Sequence, residues 1–189
     1  MLPQGRRSST RASSASGASG GRAIAAAAAV GLDPARSLEL LAGFGSVRRR
    51  LELVGSAGGV AIYDDFAHHP TAIATTLEGL RARIGGARLV AVMEPRSNSM
   101  RQGAHAAALP QAFAAADAVH VLARPELNWD AAATLAPVGA LLEVAPSVPA
   151  LLDAVQSRLG AGDHVIFMSN GGFEGASRQL LQRLQASSA

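Results

Sequence analysis

The run Gly59-Val60-Ala61-Ile62-Tyr63-Asp64-Asp65-Phe66-Ala67-His68-His69-Pro70 constrains this chain more than any other stretch. A short apolar segment rich in β-formers ends in two carboxylates, two imidazoles and a proline, the pattern of a buried strand leaving a core. Residues 71–84 then carry Ile73, Leu77, Leu80 and Ile84 at helical spacing. Four ionisable side chains therefore stand where a strand hands over to a helix. In open α/β sheets that is where ligands bind.

The alternation continues to the end of the chain. Strands are expected at 60–65, 88–93, 118–122, 140–144 and 164–168, and helices at 70–84, 103–116, 147–159 and 175–185. Residues 123–138, with Pro125 and Pro137, read as a loop holding one short helical turn. Continuous apolar strands alternating with helices imply an α/β fold, a mostly parallel sheet with helices on both faces. Upstream, residues 23–43 read as two helical pieces divided at Gly31 and Pro34. Residues 47–57 read as a strand that turns at Gly58-Gly59 into the next, with a domain boundary near Gly55–Gly58. Residues 1–22, almost all Ser, Arg, Ala and Gly, are expected to be disordered.

Three polar loops leave the carboxyl ends of expected strands. In the first, Asp64, Asp65, His68 and His69 offer acceptors and switchable donors. They suit the ribose and base of a nucleotide, a Mn²⁺ or Zn²⁺ site of a metal-dependent phosphohydrolase, or a helix entrance capped by an aspartate before Pro70. In the second, Arg96 stands with Ser97, Asn98 and Ser99, a set that fits the carboxylate of an amino acid or peptide. The same arginine could instead bridge to Glu94. In the third, Asn170, Gly171 and Gly172 let backbone approach a ligand before a helix start. A non-catalytic binding module remains open on this evidence. His105, His120 and His164 read as ordinary surface or strand-end histidines, and Met93, Met100 and Met168 as packing residues.

All 17 basic residues are arginine, and Arg6, Arg7, Arg11 and Arg22 lie in the acid-free first 22 residues. The remainder is close to neutral, and one Tyr and one Trp supply no base-stacking platform, so nucleic acid is not an expected partner. The absence of cysteine excludes disulfide and thiolate chemistry. No apolar run reaches the ~20 residues of a membrane helix, and a cytoplasmic location is the expectation.

Three ordered motifs carry a resemblance to the Mur ligases, the ATP-dependent amide-forming enzymes of peptidoglycan synthesis. They are Tyr63–Ile73, Glu94-Pro95-Arg96-Ser97-Asn98-Ser99-Met100, and Met168-Ser169-Asn170-Gly171-Gly172-Phe173. The resemblance covers roughly residues 23–186 and is strongest to the branch that joins UDP-N-acetylmuramate to the recycled tripeptide L-alanyl-γ-D-glutamyl-meso-diaminopimelate. It implies that residues 23–56 end a central ATPase domain and 57–189 form a Rossmann-like C-terminal domain. It further implies ATP with Mg²⁺, an acyl phosphate on the muramyl carboxylate, and attack by the tripeptide amine. Arg50, Asp65, His68 and His69 would lie on the ATP side. Arg96, Ser97, Asn98, Asn170 and Gly171 would receive the peptide. The family's phosphate loop, Mg²⁺ ligands, carbamylated lysine and UDP-sugar domain have no counterpart in these residues. Ser99 stands where the family has Thr, and Glu174-Gly175-Ala176-Ser177 replaces a more glycine- and histidine-bearing run. The resemblance therefore implies a truncated or frame-shifted piece, inactive alone, whose N-terminal half could be encoded separately.

Overall fold

A computed structural model describes residues 14–42, 49–138 and 141–187. The chain divides into two units, 1–45 and 46–189. In the first, α1 (Ser14–Ala29) and α2 (Pro34–Ala42) are helices. α1 starts nine residues ahead of Ala23, inside the stretch expected to be disordered; its alanines favour the helix and no proline interrupts it. The part of that expectation covering 1–13 lies outside the described residues. Gly31, at φ +87°, ends the hairpin's first arm, and Asp33 caps the second by accepting from the Ala35 and Arg36 N–H groups.

The second unit is built on one six-stranded sheet in the order β1-β2-β6-β3-β4-β5. The strands are β1 (Glu52–Ala57), β2 (Val60–Asp65), β3 (Leu89–Met93), β4 (Ala118–Leu122), β5 (Leu141–Ala145) and β6 (His164–Met168). All pairs are parallel except β1 with β2, an antiparallel hairpin at one edge. That hairpin places β1 in the sheet's own unit, so the Gly55–Gly58 boundary expected from sequence falls within the hairpin and not ahead of it. The strand also starts later than 47. Arg49 and Leu51 have φ of 57° and 49°, so the chain turns sharply there, and the register shifts between Leu53 and Gly55.

Side chains alternate across each strand and feed two cores. On one face, Tyr63, Ala91, Met93 and Ile166 pack with Leu77 and Leu80 of α3 (Pro70–Ile84), Leu109 of α5 (Leu109–Ala112) and Leu135 of α6 (Ala131–Leu135). On the other, Ile62, Val90, Val92 and Phe167 pack with Leu151, Leu152 and Val155 of α7 (Val148–Gln156) and Leu180 of α8 (Ala176–Ser187). The expected methionine packing holds: Met93, Met100 and Met168 are all buried. The continuous helix expected over 103–116 is broken. α4 (Asn98–Arg101), a 3-10 turn at Ala106–Ala108 and α5 replace it, since Gly103 turns at φ +74° and Pro110 can only open a helix.

The β1–β2 turn needs glycine at residue 59. Gly59 sits at φ +78°, and an added Cβ would lie 2.9 Å from the Ala161 Cβ. Gly59→Ala is expected to cost about 1–2 kcal/mol in a denaturant melt, by adding left-handed strain to the clash.

Candidate functional site

The carboxyl ends of three neighbouring strands finish at one level. Asp65 of β2 pairs in register with Met168 of β6, which pairs with Met93 of β3. The three polar loops therefore start side by side, as a doubly wound sheet demands. Backbone bonds link them: Ser169 N–H donates to Asp65 C=O at 3.2 Å, and Glu94 N–H to Met168 C=O at 3.1 Å.

Asp65 is 3% exposed, and both its oxygens face inward. Oδ2 accepts from Leu51 N–H at 2.6 Å. Oδ1 accepts from Ala67 N–H at 2.7 Å and Thr76 Oγ1 at 3.3 Å. One carboxylate thus ties the turn before β1, the first polar loop and α3. It does not cap α3: His69 is the N-cap residue, without a side-chain bond, and Pro70 opens the helix. Asp64 points to the opposite face, 3.5 Å from Arg49 Nε, and burial raises its pKa while Arg49 opposes the shift.

Phe66 stands on this edge with the Arg49 and Arg50 guanidinium carbons 5.5 and 5.7 Å from its ring centre. The His68 ring meets Phe66 edge-on at 5.4 Å, with Nδ1 2.9 Å from the Phe66 carbonyl. Arg49 is held by a bond from Nη2 to Ser169 C=O at 2.6 Å and by its own N–H to Glu52 at 2.8 Å. Beside it, a cavity of about 320 Å³ is bordered by Arg49, Glu52, Asp64, Gly172 and Arg178. His69 turns the other way, its ring centre 4.4 Å from that of His105.

The second and third loops meet over a buried carboxylate. Glu94, 2% exposed, accepts from Ser169 Oγ at 2.7 Å and from Arg124 Nε and Nη2 at 3.3 Å. Ser169 Oγ in turn accepts from Gly171 N–H at 3.0 Å. Arg124 also donates to Glu174, and this bond and that to Glu94 hold its pKa above the ordinary arginine value. The partner of Glu94 is therefore Arg124, and the alternative in which Arg96 bridges to Glu94 is not the one the structure takes. Arg96 lies exposed across the bare face of Gly171, where an added Cβ would run into its Cδ, Nε and Nη1. Ser97 caps α4 by accepting from Met100 N–H, and Asn98 accepts from Arg101 at 2.5 Å. Asn170 Oδ1 is buried and meets no donor among the described residues. A second cavity of about 290 Å³ is lined by Arg96, Arg101, Arg124, Glu126 and Glu174.

The structure separates the four groups offered for a metal. Strand alternation sends Asp64 and Asp65 to opposite faces, Asp65 is saturated, and His69 points towards His105. Among the described residues no group of three His, Cys, Asp or Glu is placed to hold an ion. The phosphohydrolase reading has no site. His120 also departs from expectation: it is 1% exposed in mid-sheet, not at a surface. Sequence reading missed Arg49 and Arg124, and it placed Glu94 and Ser169 in the motifs without their bond to each other. Arg124 was within reach, since it lies two residues past the carboxyl end of β4, where the same rule that selected the other loops applies.

An open, mostly parallel sheet with helices on both faces and polar loops at one carboxyl edge defines a Rossmann-like ligand-binding domain. Residues 49–171 match the family model described as "Mur ligase, glutamate ligase domain". The UDP-N-acetylmuramate–L-alanyl-γ-D-glutamyl-meso-2,6-diaminoheptandioate ligase of Escherichia coli K12 is 45% identical over 163 residues, covering 86% of this chain and 36% of that protein. A crystal structure of a murein peptide ligase from Psychrobacter arcticus 273-4 superposes with a TM-score of 0.70 at 36% identity, covering 86% of this chain and 35% of that one. A solved domain from a Haemophilus ducreyi 35000HP protein named as a UDP-N-acetylmuramate:L-alanyl-γ-D-glutamyl-meso-diaminopimelate ligase is 34% identical, with a TM-score of 0.60, and 74% of this chain covers all of it. The chain belongs to the Mur ligase family and carries its C-terminal domain. It spans about a third of the length of the curated relatives it matches.

Proposed function

We propose that this domain presents nucleotide and peptide to an ATP-dependent ligase reaction, joining UDP-N-acetylmuramate to L-alanyl-γ-D-glutamyl-meso-diaminopimelate. The observation that carries the reading is the shared level of the three loops, with a cationic aromatic corner at one end and Arg96 on Gly171 at the other. ATP supplies the phosphoryl group that activates the muramyl carboxylate.

Arg49, Arg50, Phe66 and His68 fit the nucleotide side, two cations and an aromatic ring meeting an anion and a flat base. Asp65 holds that corner in place from beneath. His69, turned to His105, is less suited to it. Among the described residues no group of three acidic or histidine side chains is placed for an ion, and none is assigned to Mg²⁺. On the peptide side, Arg96 takes a carboxylate of the tripeptide in a two-toothed fork, and the unpaired Asn170 Oδ1 accepts a peptide N–H. Ser97 and Asn98 shape the loop, their side chains being bound within it. Ligation then needs the sugar- and triphosphate-holding domains that the family places ahead of this one, in the same protein or a separate chain.

The test is a titration of the chain with the tripeptide, followed by backbone amide NMR. Shifts confined to 96–98 and 169–172 are expected, and Arg96→Ala is expected to weaken binding about tenfold or more. A wild-type chain whose loop resonances ignore the tripeptide would favour a plain binding module with another ligand.

A further inference from the structure

Arg124 belongs to none of the three motifs, yet it reaches the second loop they form and the residue just past the third. Its guanidinium meets Glu94 at the base of the second loop and Glu174 beyond the third. Glu94 is almost fully buried, and its other oxygen takes the hydroxyl of Ser169, itself 0% exposed. That hydroxyl accepts Gly171 N–H, and Gly171 is the surface across which Arg96 lies. An unbroken series of bonds therefore runs from Arg124 through Glu94 and Ser169 to the backbone under Arg96.

The same guanidinium holds a strained segment. Phe173, Glu174 and Gly175 have φ of 47°, 50° and 70°, three consecutive left-handed residues of which two carry side chains. Each such non-glycine residue is strained and persists only where its surroundings over-determine it. Here Arg124 binds the Glu174 carboxylate, Gln179 Nε2 donates to the Glu174 carbonyl at 2.8 Å, and Phe173 packs edge-on against Phe167. Of these contacts, only that of Arg124 also reaches the second loop.

We propose that Arg124 is a positioning residue: through Glu94 and Ser169 it sets the Gly171 amide and the Arg96 arm in register for the incoming peptide. This rests on the peptide-ligase reading for its purpose, but the mechanical link is testable without any substrate. The bond series predicts that loss of the guanidinium loosens Gly171, whose N–H is bonded to Ser169 and not to Arg124.

The experiment is amide hydrogen exchange by NMR on the full chain, comparing wild type, Arg124→Met and Arg124→Lys. The readout is the ratio of the Gly171 exchange rate in each variant to that in wild type, with Ile166 in the sheet reporting any global loss of stability separately. Arg124→Met is expected to raise that ratio about tenfold or more and to shift the amides of 96–98. Arg124→Lys keeps the charge but cannot span two carboxylates, and an intermediate rise of about threefold is expected. Should the methionine variant fail to fold, the lysine variant carries the comparison alone. An unchanged Gly171 ratio, with perturbation confined to 123–127 and 174, would overturn the proposal. Tripeptide titration of the same samples separates the two ideas. A wild type that binds no tripeptide defeats the ligase reading, whereas an unchanged Gly171 defeats the positioning role whatever the titration shows.

Discussion

Asp65→Asn is expected to lower the unfolding free energy by about 4 kcal/mol, a cost set by the number of donors that converge on one buried carboxylate. Leu51 and Ala67 N–H groups and the Thr76 hydroxyl all point at it. An asparagine retains one acceptor oxygen and turns an NH₂ group towards a backbone N–H that then has no partner. The bonds lost are charge-assisted, worth roughly twice a neutral one. Urea melts measure the loss. Amide NMR should also show the turn at 49–51 released, because Leu51 N–H is one of the groups set free. If Asp65 served only to touch a ligand, stability would stay within about 0.5 kcal/mol and binding alone would suffer.

Stability is expected to fall by about 3 kcal/mol between pH 6.5 and pH 4, with His120 the cause. His120 faces the core of the α7 side of the sheet, and its Nδ1 meets no donor or acceptor among the described residues. Burial holds it neutral and lowers its pKa from 6.5 to about 4; Glu143, its register partner on β5, opposes this, while Arg158 and Arg88 reinforce it. The unfolded chain therefore binds a proton below pH 6.5 that the folded chain refuses until about pH 4. The stabilisation is complete above the upper value and is lost as acid is added. Urea melts across this range should slope with pH in the wild type. In His120→Leu, which keeps the volume and removes the titration, that part of the slope should vanish. Equal slopes in both proteins would show that His120 is not the group responsible.

Long periodic elements were legible in the sequence because local pattern and tertiary burial agree. The strand 60–65, helix 70–84 and strand 164–168 have the expected bounds, each being an apolar run or stripe closed by Pro or polar residues. The stretch 103–116 was not legible as it stands. Its alanines favour helix, but Gly103 and Pro110 divide it, and Trp129 completes the break from afar by bonding Met100 C=O through Nε1 at 2.7 Å. The motifs located the three loops but not the work done by their residues. Asp65 looks like a ligand group in the sequence; its partner Leu51 lies across a strand pairing that local pattern does not encode. Glu94 and Arg124 are 30 residues apart and meet only because β3 and β4 are neighbours. The insertion of β6 between β2 and β3, which brings Ser169 to Asp65 and Glu94 together, is equally a property of topology and not of spacing.

The most direct test of the ligase reading is a chimera in which residues 49–187 replace the matching segment of the Escherichia coli relative. The assay supplies UDP-N-acetylmuramate, the tripeptide, ATP and Mg²⁺, and follows the amide product by mass. The account predicts a folded chimera that forms the UDP-linked tripeptide, and loses most of that activity when Arg96 becomes alanine. A folded chimera that binds nucleotide yet yields no product, while the parent enzyme does, would contradict it.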